Sequence, residues 1–157
     1  MMGAEERLRE LGIELPEPAT PAGSYVPARL HGDLLAVSGK LPLTPGEPLP
    51  TGRCGEDVTV EEGYALARQC ALNGLAAARA ALGSLDRVAG VVRVGGYVAA
   101  PAGFTQHPAV INGASDLLVE VFGEAGRHAR AAVGMASLPL GAPVEVEFLF
   151  EVAGEGG

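Results

Sequence analysis

Strict alternation marks the C-terminal end of the chain. Val144, Val146, Phe148 and Phe150 share one face of an extended segment, and Glu145, Glu147, Leu149 and Glu151 share the other. The segment Pro143 to Ala153 therefore reads as a strand with one apolar face and one largely acidic face. Other strand-like runs are "SYVPARL" around Tyr25 to Leu30 and "LLAVSG" from Leu34 to Gly39, with "HGD" (His31 to Asp33) as the hairpin turn between them. Arg87 to Ala100 holds a valine-rich strand, and Ala129 to Ala136 another. In the latter, Arg130, Ala132, Gly134 and Ala136 fall on one face, a long cation among small neighbours.

Helical signals interleave with these strands. Thr59, Glu61 and Glu62 supply a cap and negative charge for a helix that runs to Leu82 and stops at Gly83. A second helix is most regular from Val110 to Phe122, before a turn at Gly123 to Arg127. Glu5 to Leu11 predicts a short helix ended by Gly12. "LPEPATPAG", Leu15 to Gly23, has three prolines and reads as a surface arm. Leu41 to Val58 is a long loop rich in proline and glycine, of the kind that is often functional or interfacial.

The order ββ, loop, α, β, α, ββ predicts an α+β fold with two helices packed on one face of a mixed β-sheet. The other face must then meet water or partner chains. Residues 1–22 form an N-terminal helix and proline-rich arm, and 23–157 a single domain. A regular hairpin of the last two strands, centred near Leu140, would set Arg130 opposite Phe150 and Glu145 opposite Met135, pointing to different faces. A bulge, a bend or a neighbouring subunit would reconcile the two groups.

Composition narrows the function classes. A net charge of −8, with ten arginines and one lysine scattered along the chain, disfavours nucleic acid as a partner. Four Phe, three Tyr and no Trp leave few stacking platforms. No apolar run is long enough to span a bilayer, and the charged N-terminus lacks a signal core, which predicts a cytoplasmic protein with no membrane partner. Cys70 reads as buried helix packing, and neither it nor Cys54 belongs to a CxxC pair. His31, His107 and His128 are too far apart for metal-ligand spacing, so no metal is expected.

The stretch A-R-A-A-V-x-x-A-x-L-P, Ala129 to Pro139, followed by V-E-V-E at Val144 to Glu147, resembles the signature of the reactive intermediate (enamine/imine) deaminase family, the RidA/YjgF-like proteins. "GSYVPARLHGDLLAVSGKLPL" and "VINGASDLLVEVFG" are similar to that family's opening hairpin and second-helix region. The N-terminal arm and the Leu41 to Val58 loop resemble a longer subgroup. The resemblance implies a chorismate-mutase-like (bacillus-type) fold and a homotrimer with clefts between subunits. It also implies hydrolysis of 2-enamine and 2-imine products of amino-acid metabolism to 2-keto acids and ammonia, without a cofactor. By the same resemblance, Arg130 pairs with the substrate carboxylate and Glu145 positions the attacking water. Tyr25, Ser38, Gly39, Asn112 and Ala132 line the cleft, with Ala132 standing where many members carry a cysteine.

These residue types suit that chemistry. A guanidinium grips a carboxylate with a planar fork and stays charged. A carboxylate within hydrogen-bond reach can orient water and accept its proton. Plainer readings stand beside these: Arg130 as a solvated or ion-paired surface residue, Glu145 with Glu147 and Glu151 as a solvated strand face, Tyr25 as a core or interface residue, Ser38-Gly39 as a strand end, Asn112 as part of helix geometry. His128, between Arg127 and Arg130, reads as a turn residue meeting solvent rather than a proton shuttle. Two further functions remain open: a non-catalytic trimer binding small 2-imino or 2-keto carboxylates, and an endoribonuclease.

Overall fold

In a computed structural model, which describes residues 2–154, the alternating C-terminal segment is the middle strand of a five-stranded mixed sheet. Residue 1 of the expected 1–22 arm and the last three residues of the expected 23–157 domain lie outside the described residues. The strands are β1 (Ala28–His31), β2 (Leu34–Lys40), β3 (Val88–Ala99), β4 (Ala129–Met135) and β5 (Val144–Val152). Their spatial order is β1-β2-β5-β3-β4. The helices are α1 (Ala4–Leu11), α2 (Val60–Leu82) and α3 (His107–Phe122).

Each face of β5 behaves as its alternation predicts. Val144, Val146, Phe148 and Phe150 are buried on the face that packs against α2, while Glu145, Glu147, Leu149 and Glu151 look away from it. Burying each of the two phenylalanines contributes about 1.5–3 kcal/mol. Their rings stack with centroids 5.9 Å apart. α2 begins in a capping box, with Thr59 accepting from the Glu62 amide and the Glu62 carboxylate accepting from the Thr59 amide. It ends at Gly83, whose φ of 86° only glycine adopts without strain.

Two expectations need correction and one, the second, is only extended. First, β1 is shorter than "SYVPARL". Pro27 has no amide to donate, and the carbonyls of Val26 and Pro27 accept from the Ser38 hydroxyl and amide instead of continuing a ladder. The following turn is also tighter, because His31 pairs with Leu34 and only Gly32 and Asp33 remain to reverse the chain. Second, α3 starts at His107, with Pro108 in its first turn where a missing amide costs nothing. Third, β4 and β5 do not form a hairpin. β3 lies between them, parallel to β4 and antiparallel to β5. At the end of β3, the Ala99 and Ala100 amides donate to Pro143 and Met135, so the link between β4 and β5 steps over the strand that separates them.

α1 packs on the helix layer. Ala4 and Leu8 join the same buried cluster as the sheet. Glu5 accepts from Arg79 at 2.6 and 3.0 Å and from the Leu85 amide at 2.9 Å. The sheet face opposite the helices carries exposed Leu34, Val92 and Val133 among its acidic residues.

Candidate functional site

The register decides where Arg130 and Glu145 stand. Arg130 is level with Val94 on β3, which in turn pairs with Phe148, so it points to the helix side of the edge strand β4. Glu145 is level with Tyr97 and points to the open face. A single chain therefore does not bring the two together.

Arg130 does not wave in solvent. Its Nη1 donates to Asn112 Oδ1 at 2.8 Å and to Ser115 Oγ at 3.1 Å. Asn112 and Ser115 are three residues apart on α3 and so share a helix face. Among the described residues the only hydrogen bonds of this guanidinium leave from Nη1. With both Nη1 bonds in use, the Nη2–Nε edge is left to bind a carboxylate with two parallel bonds. Ala132 follows on the same face, level with Gly96 and packed against the core. Its methyl leaves the space beside Arg130 less filled than a cysteine would.

Behind Ser115 stands His128. Its Nε2 lies 2.9 Å from Ser115 Oγ and its Nδ1 lies 2.6 Å from the Gly126 carbonyl. This residue is half-buried and bonded on both nitrogens rather than meeting solvent as a turn residue. Ser115 and His128 carry no motif of their own. The one signal in the sequence is spacing: Ser115 is a helical turn after Asn112, and His128 is two residues before Arg130.

The second group gathers at the other side. Between Val37 and Lys40 the ladder of β2 on β5 carries one extra residue, so Ser38 and Gly39 sit in a bulge. Gly39 has no side chain where one would collide with the Glu145 carboxylate. Tyr25 is exposed, and with Gly39, Lys40, Leu41 and Leu43 it lines a cavity of about 450 Å³ between the arm and the long loop. Asn73 on α2 fixes that loop, donating to the Leu41 and Leu43 carbonyls at 2.9 Å each.

Electrostatics separate the groups further. Burial, and then the neighbouring Glu147 charge, raise the Glu145 carboxyl above the ordinary carboxylate range. Burial lowers Lys40. Tyr97 donates to Glu147 at 2.6 Å, which holds the phenol proton on and raises its pKa. Both cysteines are buried and free, and burial raises the Cys54 thiol to about 11, which leaves no nucleophilic thiolate. No group of three or more His, Cys, Asp or Glu suited to a metal occurs among the described residues, and none of their helices is long and apolar enough to cross a membrane.

A family profile described as "YjgF/chorismate_mutase-like, putative endoribonuclease" matches residues 5–152. The chain belongs to the YjgF/RidA-like family. Its mixed sheet and helices are the YjgF/chorismate-mutase-like fold. Protein TCP17 of Trypanosoma cruzi is 50% identical over 146 residues, spanning 92% of this chain and 91% of that protein. The crystal structure of Atu1372 from Agrobacterium tumefaciens is similar with a TM-score of 0.86 at 47% identity, over 95% of this chain and 92% of that one. RidA from the Antarctic bacterium Psychrobacter sp. PAMC 21119 is similar with a TM-score of 0.60 at 28% identity, over 87% of this YjgF/RidA-like chain and 94% of its own.

Proposed function

We propose that the protein is a homotrimeric, cofactor-independent deaminase that hydrolyses reactive 2-imines and 2-enamines to 2-keto acids and ammonia. The observation that carries this reading is the tethered guanidinium, held through Nη1 with its Nη2–Nε edge uncommitted. Family membership and the likeness to a protein named RidA support it. A substrate carboxylate on that edge fixes the adjacent imine carbon. Glu145 comes from a neighbouring chain, because one chain turns the two groups to opposite sheet faces. Its raised carboxyl suits proton transfer closer to neutral pH.

In the reaction, water adds to the C=N carbon as Glu145 takes one of its protons. Glu145 passes that proton to the nitrogen, giving the tetrahedral amino alcohol; the hydroxyl's proton then moves to the nitrogen as the C–N bond breaks, so ammonia leaves and the carbonyl forms. An enamine enters the same path after its carbon gains a proton to give the imine. Tyr25, Ser38, Gly39, Asn112 and Ala132 shape the cleft, which takes small 2-imino and 2-keto carboxylates. The bulge at Ser38-Gly39, with no side chain on Gly39, leaves room for the Glu145 carboxylate to stand against the strand.

A second reading is a non-catalytic carboxylate-binding trimer. It is favoured by the separation of Arg130 from Glu145 within one chain. Release of ammonia and keto acid from freshly generated 2-iminopropionate distinguishes the two. The deaminase reading expects wild type to exceed buffer and Arg130→Ala to fall at least about a hundredfold. It also expects a solution mass three times that of the chain by light scattering. Rates equal to buffer, with 2-ketobutyrate bound by wild type and not by Arg130→Ala, would select the binding protein. A monomer at micromolar concentration would remove the shared site.

A further inference from the structure

Four hydrogen bonds run in series from α3 to the turn before β4. Asn112 Oδ1 and Ser115 Oγ both accept from Arg130 Nη1. Ser115 Oγ also lies 2.9 Å from His128 Nε2, and His128 Nδ1 lies 2.6 Å from the Gly126 carbonyl. Only one arrangement of protons in a neutral imidazole satisfies the series. A carbonyl oxygen cannot donate, so Nδ1 carries the imidazole proton. Nε2 is then an acceptor, and the Ser115 hydroxyl donates to it. That turns the hydroxyl's lone pairs toward the guanidinium, which can only donate.

We propose that Ser115 and His128 are positioning residues for carboxylate recognition: His128 orients the Ser115 hydroxyl, and that hydroxyl with Asn112 fixes the plane of the Arg130 guanidinium. This rests on Arg130 being the carboxylate anchor. Two acceptors on one nitrogen fix where Nη1 sits and how the plane is rotated, and the plane decides where the Nη2–Nε edge aims. With Asn112 alone, the guanidinium could pivot about a single bond. An unfixed fork meets a carboxylate with one bond instead of two and pays the ordering entropy on binding.

The device also accounts for the local sequence. Ser115 must sit one helical turn from Asn112, and His128 must lie just ahead of the strand that carries Arg130. Gly126 is buried where a side chain would run into the Leu118 carbonyl, so the turn presses against α3 and brings His128 to Ser115.

The test measures binding of 2-ketobutyrate and of its neutral amide, 2-ketobutyramide, by calorimetry on the full-length protein. It compares wild type with Ser115→Ala, Ser115→Thr, His128→Leu, His128→Gln and Arg130→Ala. Ser115→Ala and His128→Leu should weaken keto acid binding about tenfold while changing the amide little. In turnover the same two variants should raise KM more than they lower kcat. His128→Gln, which keeps an acceptor near the Nε2 position, and Ser115→Thr, which keeps the hydroxyl, should recover most of the loss. Equal weakening of acid and amide would assign these residues a merely structural role and overturn the proposal. Unchanged acid binding in both Ser115→Ala and His128→Leu would overturn it too. Should Ser115→Ala fail to fold, His128→Leu against His128→Gln gives the same comparison. Unchanged acid binding in Arg130→Ala would instead remove the anchor itself, a distinct outcome.

Discussion

Glu145 is a carboxylate whose surroundings oppose its charge, through burial first and Glu147 second. Its pKa is raised in the folded chain, so the folded state favours the protonated form. The resulting contribution to stability is present below the unfolded pKa and is lost as pH rises through the folded value. At neutral pH the ionised group is a liability retained at the proposed site, as functional carboxylates often are. Glu145→Gln should therefore raise Tm by about 2 °C at neutral pH, with the gain shrinking near about pH 4, while deaminase turnover is lost. Thermal melts at the two pH values check this, and a gain independent of pH would contradict it. In the wild type, kcat/KM should decline as acid brings the pH down through a value above the ordinary glutamate range.

Among the elements, α2 and α3 cross with their backbones in close contact. Gly113 on α3 has no side chain where a methyl would press into the Tyr64 carbonyl and come within 3.1 Å of the Arg68 amide nitrogen. The obstacle is helix backbone, which cannot rotate aside. Gly113→Ala should cost about 1–3 kcal/mol by denaturant unfolding and shift α3, carrying Asn112 and Ser115 with it. Keto acid affinity should fall in the same variant. The helix boundaries at Thr59 and Gly83 and both faces of β5 were legible in the sequence, because caps and period-two alternation are local signals. The place of β3 between β4 and β5 was not. Consecutive strands usually pair, and nothing local announces a link that passes over a third strand through Leu140 (φ 58°) and Gly141 (φ 76°). Arg130 and Glu145 stood out by residue type and spacing. The Ser115–His128 arrangement did not, since a histidine flanked by arginines near a turn gives no hint that it folds back onto a helix.

For the whole molecule, the sheet separates two halves of one proposed site. Arg130 and Asn112 lie on the helix side of an edge strand, while Glu145, Gly39 and Tyr25 gather at the β2–β5 end beside the cavity. Leu34, Val92 and Val133 on the open face offer apolar surface for the proposed trimer contact. If each cleft draws its guanidinium from one protomer and its carboxylate from the next, two inactive proteins can repair each other. Arg130→Ala and Glu145→Gln chains, unfolded together and refolded as a mixture, should regain turnover in about a quarter of their clefts, whereas either chain refolded alone stays silent. Genetic complementation between two dead alleles would thus report, without any crystal, that the sheet turns its arginine one way and its glutamate the other.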